Sequence, residues 1–166
     1  MYKFIVSEVF SLKKIKWTEL LISVASAELV GVLSALLSGD FSTRYSQLIQ
    51  PPLAPSEAVF PVVWAILYAL MGISAYIIWQ SADSTATAKK LYLAQLAVNF
   101  LWSIIFFRFE LLGLAAIWAV LLFLLVAATV KSFGKKSPTA ALLNLPYLLW
   151  SAFAAYLAIG TWALNR

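Results

Sequence analysis

Five long apolar runs dominate the chain, at residues 17–38, 58–79, 91–107, 111–130 and 140–164. A hydrocarbon core roughly 30 Å thick takes about 20 apolar residues in helical form, so each run is long enough to cross a bilayer. Within lipid every backbone N–H and C=O must be satisfied by the segment itself or by a closed barrel, and no strand-length alternation of apolar and polar residues occurs here. The runs therefore read as helices, and the fold class as an all-α integral membrane protein, a bundle of five transmembrane helices. Composition agrees: 63% of the residues are hydrophobic, 11% are charged, and the mean hydropathy is +0.91. Residues 17–166 form one transmembrane domain. Residues 1–16 read as an interfacial segment, with Phe4, Ile5, Val9, Phe10 and Leu12 toward lipid and Lys13, Lys14 and Lys16 at headgroup level. Glu8 interrupts this stretch and no small-residue cleavage pattern follows it, so it is not read as a cleaved signal peptide.

Charge placement gives an orientation. Lys3, Lys13, Lys14, Lys16, Lys89, Lys90, Lys131, Lys135 and Lys136 fall on the side of the N-terminus, and only Arg44, Arg108 and Arg166 on the other. Under the positive-inside rule this split puts the N-terminus in the cytoplasm and, after five crossings, the C-terminus outside. The net charge of +5 is explained by that asymmetry, since no basic stripe interleaved with exposed aromatics points to nucleic acid. Segment 40–57 carries Pro51, Pro52 and Pro55, which fix the backbone and remove donors, so it reads as a shaped loop. Residues 108–110 are too short to let the third and fourth helices be anything but antiparallel neighbours.

The residue inventory excludes whole classes of chemistry. With no cysteine and no histidine, thiolate or imidazole metal sites, histidine-ligated haem and Ser-His-Asp catalysis are unavailable. Aromatic rings remain. Phe60, Trp64, Tyr68 and Gly72 follow i, i+4, i+8, i+12 on one face of the second span. Gln95, Asn99, Trp102 and Phe106 share a face of the third, where a carboxamide without partners costs several kcal/mol and must meet protein, a cavity or a ligand. In the fifth, Tyr147, Trp150 and Ala154 lie together. Pro146 predicts a kink there, with Asn144 one turn earlier placed to satisfy freed backbone groups. Plain helix packing explains each face taken alone. Ser23, Ala27, Gly31 and Ala35 form a small-residue stripe in the first span that suits either intramolecular packing or a dimer. Glu28, at mid-depth of the same span, is expected to face the interior or a wet cavity.

These residues resemble a known family. Tyr45-x-x-Leu48-x-x-Pro51-x-x-x-Pro55, then Phe60-Pro61-x-x-Trp64-x-x-Leu67-Tyr68-x-x-Met71-Gly72, looks like the loop and second helix of the TspO/MBR family of tryptophan-rich sensory and translocator proteins. Gln95-Leu96-x-x-Asn99-x-x-Trp102-Ser103-x-x-Phe106-Phe107 resembles its third helix, and Leu145-Pro146-Tyr147-x-x-Trp150-x-x-Phe153-Ala154 its fifth. The resemblance implies a five-helix bundle, commonly a homodimer, with a pocket roofed by the first loop. It also implies porphyrin binding and residence in a bacterial inner (plasma) membrane. Trp64 and Trp150 match the tryptophans associated in bacterial relatives with light-dependent porphyrin breakdown, Asn99 a polar pocket residue, and Ala154 a small pocket-wall residue. Arg44 and Ser56 depart from the Trp and Pro usual at those places. Tyr156 lacks a following Lys or Arg, so no cholesterol motif is expected.

The resulting expectation is a sensor or binding protein whose site comprises Tyr45, Pro55, Phe60, Trp64, Tyr68, Gln95, Asn99, Trp102, Phe106, Tyr147, Trp150 and Ala154. Its ligand is a porphyrin such as protoporphyrin IX, with no metal and no resident cofactor. The alternatives are light-dependent porphyrin degradation through Trp64 and Trp150, and tetrapyrrole transport, which the lack of an internal repeat disfavours.

Overall fold

The computed structural model describes residues 15–81 and 86–166, so the expected interfacial segment lies almost wholly outside the described residues. Among the described residues seven helices follow one another: α1 Trp17–Ser38, α2 Phe41–Gln47, α3 Val59–Gln80, α4 Ala86–Ser103, α5 Leu112–Gly134, α6 Pro138–Leu143 and α7 Leu145–Leu164. A π-helical turn, Ile104–Arg108, extends α4, and α6 and α7 together make one crossing. Five stretches are thus long and apolar enough to span a membrane, and the five-helix expectation holds. The differences lie at the ends and in the loop. The third span begins earlier than expected, at Ala86, the fourth runs on to Gly134, and the proline segment contains α2.

Helix α2 is capped at its start. The Asp40 carboxylate accepts from the Thr43 backbone N–H at 3.1 Å, filling one of the donors a helix N-terminus leaves orphaned. Hydrogen bonding from the Thr43 side chain, together with this backbone bond, holds the Asp40 carboxyl below its usual range. Seven residues are too few to sustain a helix alone, so α2 depends on what it rests against.

Close approach decides how α1 meets α3. A Cβ on Gly31 would stand 2.3 Å from the Tyr68 ring, and one on Gly72 would stand 2.5 Å from the Val24 backbone. Ser23 Oγ also donates to the Gly72 carbonyl at 2.7 Å. The small-residue stripe, which left packing and dimerisation open, therefore serves contact within the chain.

The interruption between α6 and α7 has the cause expected. Pro146 supplies no donor to the preceding turn, and Asn144 Nδ2 donates to the Ala140 carbonyl at 2.9 Å. Ser74 of α3 donates to the same carbonyl at 2.8 Å and accepts from Asn144, which ties α3 to α6. Helix α1 packs along α3 and α5 along α7, while α3 meets α7 through ring contacts, Phe60 on Trp150 and Trp64 on Tyr147. Between α1, α3, α4 and α7 a space is left beneath α2. The space so left is the candidate site.

Candidate functional site

A cavity of about 310 Å³ lies within the bundle beneath α2. Its walls come from every direction: Glu28, Gly31 and Ala35 of α1, Phe60, Trp64 and Tyr68 of α3, Asn99 and Trp102 of α4, and Ala154, Leu157 and Thr161 of α7. Phe41 and Tyr45 of α2 roof it. Eight of its lining side chains are aromatic, namely Phe41, Tyr45, Phe60, Trp64, Tyr68, Trp102, Phe106 and Phe107. No Lys or Arg stands among the described lining residues.

The π-helical turn explains why two consecutive phenylalanines serve this wall. In a regular α-helix neighbouring side chains diverge by about 100°, and one of such a pair faces away. Here the Phe109 N–H reaches back five residues to the Ile104 carbonyl at 3.1 Å, widening the turn. Phe106 and Phe107 are consequently both buried, with ring centroids 4.6 Å apart. Phe107 meets Phe41 edge-on at 4.8 Å, and Phe106 meets Trp102 at 5.2 Å. Alternating edge and tilted contacts of this kind suit aromatic quadrupoles.

The roof is fastened by its own backbone and by α7. Tyr45 donates its hydroxyl to the Pro55 carbonyl at 2.7 Å, and Gln50 Nε2 donates to the Tyr45 carbonyl at 2.9 Å. Burial raises the Tyr45 phenol above its ordinary range. Asn165 exchanges two bonds with the Ile49 backbone, at 3.0 and 2.9 Å, and Tyr156 donates to the Pro52 carbonyl at 2.8 Å. Pro51 sits so close to Gly160 that a Cβ there would come within 2.7 Å of it. An ion pair between Arg44 and Glu110 links the roof to the turn after the π-helical segment.

At the floor, Asn99 Nδ2 donates to the Tyr68 hydroxyl at 3.0 Å. One layer deeper the Tyr147 hydroxyl donates to Gln95 Oε1 at 2.9 Å, and Gln95 Nε2 lies 3.8 Å from Met71 Sδ. Both Gln95 and Tyr147 are buried, and neither lines the cavity. The two carboxamides that share a face of α4 thus divide: Asn99 reaches the cavity and Gln95 belongs to the layer beneath.

The remaining expected site residues fall as follows. Tyr45, Phe60, Trp64, Tyr68, Asn99, Trp102, Phe106 and Ala154 line the cavity. Pro55 contributes its carbonyl to the roof, not a wall. Trp150 stands behind Phe60, their ring centroids 6.0 Å apart, and its indole N–H is buried without a hydrogen-bond partner. Trp64 and Trp150 therefore do not face one another across the cavity. Sequence reasoning missed Phe41, Phe107, Leu157 and Thr161 as lining residues. The repeat of small or apolar residues at 154, 157, 158 and 161 was the available signal for the α7 wall.

A sequence model of the TspO/MBR family matches residues 22–163. The chain is 35% identical over 134 residues to the translocator protein of Ovis aries, covering 78% of this chain and 79% of that protein. It is 33% identical over 149 residues to the tryptophan-rich sensory protein of Cereibacter sphaeroides, covering 90% and 92%. It is also 35% identical over 148 residues to the tryptophan-rich protein TspO of Archaeoglobus fulgidus, covering 84% and 95%.

Proposed function

Because the chain belongs to the TspO/MBR family, we propose that this integral membrane protein is a binding protein or sensor for porphyrins, such as protoporphyrin IX, and similar planar apolar ligands. The observation that carries the reading is the cavity of about 310 Å³ with eight aromatic lining side chains, roofed by α2. Cavities of roughly 300–1,000 Å³ with apolar walls and a few placed polar groups are the usual form of small-molecule sites. Flat rings stack on such walls without acid, base or metal. Asn99 and Tyr68 supply polar atoms at the floor.

The test is titration of the purified, detergent-solubilised protein with protoporphyrin IX, followed by tryptophan quenching. Saturable quenching that weakens on Trp64→Leu supports the reading; quenching that rises linearly with added porphyrin rejects it.

A second reading, light-dependent porphyrin breakdown, rests on the two tryptophans: Trp64 lines the cavity and the Trp150 ring meets the lining residue Phe60. Bleaching of bound porphyrin under light, abolished by Trp150→Phe, distinguishes breakdown from binding alone.

The protein is further proposed to act as a homodimer in a bacterial inner membrane with its N-terminus cytoplasmic. The asymmetric placement of lysine and arginine supports the orientation.

A further inference from the structure

Glu28 is the one side chain with a carboxyl group among the described lining residues of the cavity. It lies in the middle of α1, which is long and apolar enough to span the membrane. A carboxylate at that depth is expensive unless a partner of opposite charge or a hydrogen-bond donor meets it. Among the described residues it forms no ion pair: the two that occur join Lys16 to Glu19 and Arg44 to Glu110, both near the ends of the bundle. It also takes no part in the side-chain hydrogen bonds of the floor, where Asn99 donates to Tyr68 and Tyr147 to Gln95. Glu28 instead lines a space that Tyr68, Trp64, Trp102 and Phe106 also line.

An acidic side chain that shares one cavity with several aromatic rings suits an organic cation. The ring quadrupoles attract positive charge over their faces, and the carboxylate supplies the counter-ion. The same arrangement repels an anion, because no Lys or Arg among the described lining residues compensates it. The Arg44 guanidinium, on the roof helix itself, is engaged with Glu110.

We propose that Glu28 makes the inner cavity selective for planar ligands that present a protonated or strongly N–H-donating nitrogen to α1, and that it excludes ligands presenting a carboxylate there. The proposal rests on the cavity being the ligand site and adds which ligand chemistry it takes. Any acidic substituent of a bound macrocycle then points away from α1, toward the roof.

Three flat tricyclic probes of similar size test this: 9-aminoacridine, which is cationic, anthracene, which is neutral, and 9-anthracenecarboxylate, which is anionic. Each is titrated against protein in nanodiscs of zwitterionic lipid, so that the bilayer itself does not concentrate the cation. The expected result for the unaltered chain is binding of the cation about tenfold or more tighter than of the anion. Glu28→Gln brings the two affinities to within about threefold, whereas Glu28→Asp, which keeps the charge, keeps the order. A preference that survives Glu28→Gln overturns the proposal, as does an unaltered chain that binds the anion as well as the cation or binds none of the probes. Ala154→Leu, on the opposite wall, separates the two levels of the argument. If it weakens all three probes while Glu28→Gln leaves their order intact, the cavity stands as the ligand site and the role of Glu28 falls. If it weakens none, the cavity reading falls and the selectivity proposal with it.

Discussion

Asn99 of α4 donates to the hydroxyl of Tyr68 on α3 across the floor of the cavity, at 3.0 Å. The bond joins two helices and leaves the Asn99 carbonyl and the Tyr68 hydroxyl proton for a ligand. Asn99→Leu is expected to weaken porphyrin binding by about 0.5–2 kcal/mol, the scale of one hydrogen bond. Tyr68→Phe is expected to weaken it similarly, and the double variant less than the sum, because each change removes the same pair. Strict additivity in a titration of all four proteins contradicts a shared role.

Packing of α1 on α3 gives a second prediction. A Cβ at Gly31 or Gly72 would come within 2.3 or 2.5 Å of its neighbours, whereas one at Gly134 would meet Ala141 at an ordinary 3.5 Å. Gly31→Leu and Gly72→Ala should each lower stability by about 1–3 kcal/mol through overpacking. Gly134→Ala should be neutral or slightly stabilising, since alanine is the better helix former. Thermal unfolding in detergent, followed by circular dichroism, reads all three.

The roof should respond to pH in one direction. Burial raises the Tyr45 phenol, so the neutral form that donates to Pro55 is favoured in the folded protein. Its stabilisation is complete below the ordinary tyrosine pKa of about 10 and is lost as pH rises through the higher folded value. Ligand dissociation, measured by stopped-flow quenching, should therefore be constant across neutral pH and accelerate only above about pH 10. Tyr45→Phe should raise the dissociation rate about two- to tenfold at neutral pH, the range of one lost hydrogen bond.

Much of this arrangement was legible in the sequence because lipid narrows the choices. The five apolar runs became five spans, Pro146 interrupted the last of them, and Asn144 capped the carbonyl of Ala140. Helix α2 was not read from the sequence because the three prolines of segment 40–57 marked it as a loop, although Asp40 and the i, i+4, i+7 spacing of Phe41, Tyr45 and Leu48 signalled it; contacts such as Phe41 on Phe107 hold it. The π-helical turn escaped notice for a related reason: nothing local in Ile104–Arg108 marks it, yet it turns Phe107 inward. Periodicity placed Gln95 and Asn99 on one face and was silent on depth. Their hydrogen-bond partners, Tyr147 and Tyr68, separate the buried layer from the cavity floor.

Orientation is testable independently of any ligand. A reporter active only outside the cytoplasm, fused after Arg166, should be active, because the lysines gather on the side of the N-terminus. Activity of a cytoplasmic reporter at that position contradicts the proposed orientation.

The most direct test of the account compares ligand affinity with stability at Ala154. Its methyl lines the cavity opposite α1, whereas Leu149 on the same helix is 73% exposed on the outer surface. Ala154→Leu fills cavity space and not a dense core, so it should cost little in melting temperature. Protoporphyrin IX affinity, read by tryptophan quenching, should fall about tenfold or more in Ala154→Leu and stay unchanged in Leu149→Ala. Unchanged affinity in Ala154→Leu, with Trp64→Leu also binding normally, would contradict the claim that this cavity holds the ligand.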